Sequence, residues 1–149
     1  MIDSLDHTNI GISKKIRIVF QTSYAVEAKL LQAKDFPPLK RSLTNFINCD
    51  SQFFGVWKFT ELASVIEVKS DANTTHIQSL VVDPSYFRQG LAQQLITFVF
   101  NNFQSKLFTV ETGVDNKPAI ALYKKFQFIE VKQWDTDHGI RKVRFERKI

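Results

Sequence analysis

The sequence predicts a mixed α/β sandwich formed by one domain, and two observations carry that reading. The hydrophobic period alternates between 2 and 3.6 residues in the order β-α-α-β-β-β-α-β-α-β-β, interleaving strands and helices without an internal repeat or low-complexity tract. Apolar residues make up 44% of the 149 residues and include 14 Phe, against 23% charged residues, enough to pack one core without disulfide or metal staples.

Residues 1–15 are polar and lack periodicity, and read as a leader ahead of a single domain spanning 16–149. The β-branched run Ile16 to Phe20 reads as the first strand. Tyr24 to Lys34 has helical spacing through Val26, Leu30 and Leu31 and stops ahead of Pro37-Pro38; a second short helix carries Leu39, Leu43, Phe46 and Ile47. Phe53 to Phe59, Leu62 to Lys69 and Thr74 to Val82 are strand-like runs divided by short polar segments, an antiparallel meander. From Leu91 the period changes, and Leu91, Leu95, Ile96, Val99 and Phe103 share a helical face. Lys106 to Glu111 reads as a strand and Asn116 to Phe126 as a helix with Ala119, Leu122, Tyr123 and Phe126 on one stripe. Phe128 to Trp134 and Ile140 to Phe145 form a closing pair around Asp135 to Gly139.

Composition narrows the function classes. Cys49 is the one cysteine, and His7, His76 and His138 lack the paired spacing of a zinc site, so no metal is expected. No apolar run approaches a membrane span and no secretory signal opens the chain, so a cytoplasmic setting without membrane attachment is expected. The net charge of +5 fits either nucleic acid or an anionic small molecule. The densest basic group, Arg141, Lys142, Arg144, Arg147 and Lys148, alternates in part as on a solvated edge strand, and no nucleic-acid partner is expected.

Two segments carry chemistry. Leu80-Val81-Val82-Asp83-Pro84-Ser85-Tyr86-Phe87-Arg88-Gln89-Gly90-Leu91-Ala92 leads a strand through a loop into a helix. A helix N-terminus offers free N–H groups and a positive dipole end to a phosphate, and Gly90 lets backbone approach the ligand closely. A plain turn is the alternative, and neither a dinucleotide fingerprint nor a P-loop is present. Downstream, Phe108-Thr109-Val110-Glu111-Thr112-Gly113-Val114-Asp115-Asn116 puts Glu111 near a strand end and Asn116 at a helix N-cap, with Tyr123 two turns further on nearly the same face. Asn116 as a simple cap, Tyr123 as core and Glu111 as an edge charge stand beside any catalytic reading.

Together, LVVDPSYFRQGLAQQLI and VETGVDNKPAIALYKKFQF resemble the GNAT acetyltransferase superfamily over residues 80–128, in the flavour of the ribosomal-protein alanine N-acetyltransferases. The resemblance implies a largely antiparallel central sheet flanked by helices and acetyl-CoA as co-substrate. It assigns main-chain contacts with the pantetheine arm to Leu80, Val81 and Val82, the pyrophosphate to Arg88, Gln89, Gly90, Leu91, Ala92 and Gln93, and a further CoA contact to Asn116. It assigns Glu111 as general base, Tyr123 as the acid that protonates the leaving thiolate, and a backbone N–H near Val82 to the oxyanion. An amine is mostly ammonium at neutral pH and must lose a proton before attack, while the departing thiolate gains from a nearby phenol, so these residue types suit the reaction. Two departures stand out: Phe87 replaces a frequent Gln or Arg, and Gln127 replaces a helix-ending Gly.

By the same analogy, Tyr24, Phe36, Phe46 and Trp134 wall an acceptor pocket with Asp135 and Asp137 at its mouth, and a homodimer is a common state. The acceptor is a small-molecule or peptide amine. A non-catalytic acyl-CoA-binding module is the alternative.

Overall fold

From Gln52 onward the runs that read as strands and helices form as such, because one period holds through each of them. The computed structural model describes residues 1–149. Its elements are β1 (Ile2–Leu5), α1 (Ile10–Leu30), a 3-10 turn (Pro37–Lys40), α2 (Leu43–Asn48), β2 (Gln52–Lys58), β3 (Glu61–Ser70), β4 (Thr74–Val82), a second 3-10 turn (Pro84–Tyr86), α3 (Leu91–Asn102), β5 (Leu107–Gly113), α4 (Lys117–Lys125), β6 (Ile129–Asp135) and β7 (Arg141–Lys148). They build one seven-stranded sheet ordered β1-β2-β3-β4-β5-β7-β6. Every neighbouring pair is antiparallel except β4 with β5. No helix is long and apolar enough to cross a membrane.

The element order matches the expectation, but its first two members are displaced. Ile2–Leu5, within the expected leader, is the first strand and pairs with Phe53 to Val56. Ile16 to Phe20 lies inside α1. Ile16, Val19 and Phe20 are buried while Ile18 is 62% exposed. A strand would have put Ile16, Ile18 and Phe20 on one face; the observed pattern is helical. The Asn9 side chain caps the helix by accepting from Ile12 N–H at 3.1 Å. Leu39 belongs to the 3-10 turn that Pro37-Pro38 imposes, not to α2.

Alternate residues of the central strands face opposite layers. Val65 and Val81 pack with Ile16, Phe20 and Phe46 under α1 and α2, whereas Ile66 and Ile77 pack with Leu95, Ile96, Val99 and Tyr123 under α3 and α4. Between β4 and β5, pairing covers only Thr74 to Ile77 against Leu107 to Val110. A bulge then inserts Gln78 opposite the Glu67/Val68 step of β3. Bulged strands bend, so β4 and β5 part and their last residues flank an opening in the sheet.

Candidate active site

The parted strands leave backbone of β4 without a strand partner on one side. Asp83 N–H bonds Ala63 O at 2.8 Å, and the register pairs Val81 with Val65. In an antiparallel ladder these residues turn their polar groups toward β3, so the N–H and C=O of Leu80 and Val82 point the other way, toward the opening. Val81, expected with them, has a buried side chain under α1 and its backbone is spent on β3.

Where β4 ends, the chain enters α3 through residues with left-handed φ, +64° at Arg88 and +76° at Gly90. No side chain caps α3, and Gln94 N–H is the first to close onto the helix, at Gly90 O. The six N–H groups from Arg88 to Gln93 therefore have no partner in the protein. A cavity of about 460 Å³ opens here, lined by Val82, Phe87, Arg88, Gly90, Leu91, Ala92, Gln93 and, from α4, Lys125. Its lining includes two cations and no carboxylate, a setting for a phosphate group. The Gln89 side chain is exposed and lies outside that lining.

A larger cleft, about 760 Å³, lies between α1, the second half of β4, the end of β5 and the β6–β7 turn. Glu111, Asn116, Tyr123 and Leu80 all line it. Asn116 caps α4, accepting from Ala119 N–H at 3.2 Å, while its Nδ2 donates to Glu27 Oε1. Tyr123 is 5% exposed and its hydroxyl has no protein partner. The fully enclosed unpartnered side-chain atoms are Ser51 Oγ and Ser64 Oγ, so the Tyr123 hydroxyl reaches the cleft. Burial pushes this phenol above its ordinary value, with the Glu27 charge acting in the same direction. Glu111 is held by Arg144 at 3.1 Å and Lys142 at 3.6 Å.

The acceptor-wall expectations divide. Tyr24 and Phe36 line the cleft. Phe46 does not: it is fully buried in the core, under the Arg41 guanidinium at 4.0 Å. Trp134 lies outside the cleft among Lys132 and Lys142, and Asp135 is paired with Arg141 at 3.1 Å. Gln127 does adopt the left-handed conformation, φ +66°, in place of glycine. The cleft also contains residues that sequence reasoning passed over: Glu27, the buried pair Glu67–Arg41, His138 and Lys142. A signal for Glu27 was present, because Phe20, Tyr24, Glu27 and Leu31 recur at spacings of 4, 3 and 4. An acid on that stripe is an acid aimed inward.

The family model "Acetyltransferase (GNAT) family" matches residues 20–128. The chain belongs to this family. It is 29% identical over 141 residues to the UPF0157 protein YqkA of Bacillus subtilis (strain 168), covering 94% of this chain and 41% of that protein, so it spans about two-fifths of that relative's length. Among solved structures, the ribosomal-protein-S18-alanine N-acetyltransferase from Escherichia coli superposes with a TM-score of 0.78 at 21% identity, covering 100% of this chain and 93% of that one. The PaiA N-acetyltransferase from Thermoplasma acidophilum, in complex with coenzyme A, gives 0.76 at 18%, covering 100% and 99%. The smu.2055 protein from Streptococcus mutans UA159 gives 0.80 at 12%, covering 99% and 98%. Residues of α4 line both cavities, Ala119 and Tyr123 the larger and Pro118, Ala121, Leu122 and Lys125 the smaller.

Proposed function

We propose that the chain transfers an acetyl group from acetyl-CoA to a primary amine, by direct attack within a complex of both substrates. The observation that carries this reading is the run of six unpartnered N–H groups from Arg88 to Gln93, flanked by Arg88 and Lys125, on the chain segment that continues from the open edge of β4. Those groups fit a diphosphate, Gly90 presents no Cβ to it, and the outward N–H and C=O of Leu80 and Val82 suit an amide-bearing arm. Bound acetyl-CoA supplies the activated acetyl thioester.

The protein's own groups account for the rest. Val82 N–H or its neighbour on the β4 edge donates to the charge that grows on the carbonyl oxygen. The buried Tyr123 phenol stays protonated at neutral pH and donates to the departing sulfur. A cleft carboxylate relieves the acceptor of its proton; the resemblance alone points to Glu111, which Arg144 and Lys142 hold at the cleft edge. Asn116 holds the start of α4, and so the Tyr123 ring, in place.

The test is a panel of amines, from amino acids and polyamines to peptides with free N-termini, assayed for thiol release from acetyl-CoA. We expect turnover with a subset of the panel and, for Tyr123→Phe, a fall in kcat of about 100-fold or more with acetyl-CoA affinity retained. Undiminished turnover by Tyr123→Phe removes the proposed acid. Acetyl-CoA binding without transfer to any amine would favour a non-catalytic binding module.

A further inference from the structure

Three carboxylates line the cleft, and their surroundings differ. Glu67 is gripped by both terminal nitrogens of Arg41, at 2.7 and 2.9 Å. Glu111 has a cation at each oxygen, Lys142 at Oε1 and Arg144 at Oε2. Glu27 differs from both: it makes no salt bridge, its Oε1 accepts from Asn116 Nδ2, and its Oε2 has no protein partner. It stands half-buried on the inward stripe of α1 between Tyr24 and Leu31, a costly position for a charge without a salt bridge. Residues kept at such cost concentrate at functional sites.

We propose that Glu27, and not the Glu111 to which the resemblance points, is the general base of the transfer, and that Glu111 neutralises Lys142 and Arg144 at the cleft wall so that the acceptor's ammonium is not repelled from the cleft. This rests on the acetyltransferase reading given above. The acceptor is accordingly an amine that arrives as a cation. Its N–H bond breaks and an O–H bond forms at the free oxygen of Glu27; the nitrogen lone pair then makes the C–N bond to the acetyl carbon. As the C–S bond breaks, the sulfur takes the Tyr123 proton, and the nitrogen's second proton returns through water to Tyr123. Glu27 gives its proton to solvent, so one proton is released for each amide formed.

The charged and titratable groups lining the cleft with Glu27 are Tyr24 on its own helix, Tyr123 on α4, Lys142 on β7, His138 in the β6–β7 turn, Glu111 on β5, Lys69 on β3, Lys40 in the first 3-10 turn and Cys49 after α2, with Arg41 and Glu67 paired to each other. Burial raises the Glu27 carboxyl above its ordinary value, against the Asn116 hydrogen bond and Lys142, which act to lower it. A base shifted toward neutrality accepts a proton more readily.

The experiment is the pH dependence of kcat/KM for the parent, Glu27→Gln and Glu111→Gln with the best amine of the panel, alongside acetyl-CoA titration of each. Gln retains an oxygen for Asn116, so the fold and cofactor affinity are expected to stay intact, which thermal melting checks. The parent is expected to lose activity in acid with a single titration. Glu27→Gln should fall at least about 100-fold and lose that acid limb, whereas Glu111→Gln should keep the limb and fall by about tenfold, mainly through KM. An acid limb that survives in Glu27→Gln, or that disappears in Glu111→Gln, overturns the assignment. A parent that acetylates no amine at all overturns the underlying reading instead.

Discussion

The pair Glu67–Arg41 forms the floor of the cleft, and removing either partner has different consequences that the structure allows to be worked out. Glu67 is 1% exposed on β3 and Arg41 18% exposed in the loop before α2. Breaking a buried pair by deleting one partner typically costs about 3–5 kcal/mol, because the other charge is left without compensation. In Glu67→Ala the guanidinium keeps Asn45 Oδ1 at 2.6 Å, the Phe46 ring, and some access to water in the cleft, so a loss near the lower end, about 3 kcal/mol, is expected. For a chain of this length that corresponds to a drop in Tm of roughly 6–12 °C. The loss should depend little on pH, because arginine does not deprotonate. In Arg41→Met a carboxylate with almost no solvent access is stranded, and it takes up a proton more readily than it remains charged. Its destabilisation should therefore shrink as pH falls. Urea denaturation of both variants and of Arg41→Met/Glu67→Leu, measured from pH 5 to 8 (a window on the order of the titration range), tests this. The double variant should lose well under the sum of the single losses, because neither charge is left stranded. Equal, pH-independent losses in the two single variants would refute the reasoning.

Two further outcomes follow from particular residues. A Cβ at Gly55 would meet the Ser64 backbone oxygen at 2.8 Å and Leu5 Cδ1 at 2.9 Å, so Gly55→Ala must shift β3 or β1; a loss of about 1–3 kcal/mol in chemical denaturation is expected, with β1 amides exchanging faster. Glu27→Gln should melt higher than the parent at neutral pH. The carboxyl is raised in the folded state, so its ionisation costs stability as pH rises through that folded value, and the gap between variant and parent should close on acidification toward the ordinary glutamate value of 4.5.

Legibility in the sequence followed the range of the interactions. The turn into α3, the N-cap at Asn116 and the helical stripe that carries Tyr123 are local patterns, and all three occupy the positions that spacing implied. Residues 1–20 misled because β-branched Ile16, Ile18 and Val19 favour a strand locally, while burial of Ile16 and Val19 against Phe46 and Phe53 selects the helix. The cleft charges were hidden for a different reason. Arg41 finds Glu67 across 26 positions, Arg144 finds Glu111 across 33 and Asn116 finds Glu27 across 89, and no local pattern reports such pairings. Thus the segment proposed for the cofactor was readable from the chain, whereas the partners of the cleft carboxylates required the fold.

Titration of the chain with acetyl-CoA by calorimetry, beside Gly90→Asp, tests the central claim most directly. An added Cβ at Gly90 meets nothing within 4 Å, and the left-handed strain of about 1 kcal/mol is largely offset by a negative charge at a helix N-terminus. The variant should therefore fold normally while repelling a diphosphate. Saturable one-to-one binding by the parent is expected, with at least about tenfold weaker binding by Gly90→Asp, equivalent to about 1.4 kcal/mol. Absence of saturable binding by the parent, or equal affinity in the variant, would contradict the central claim.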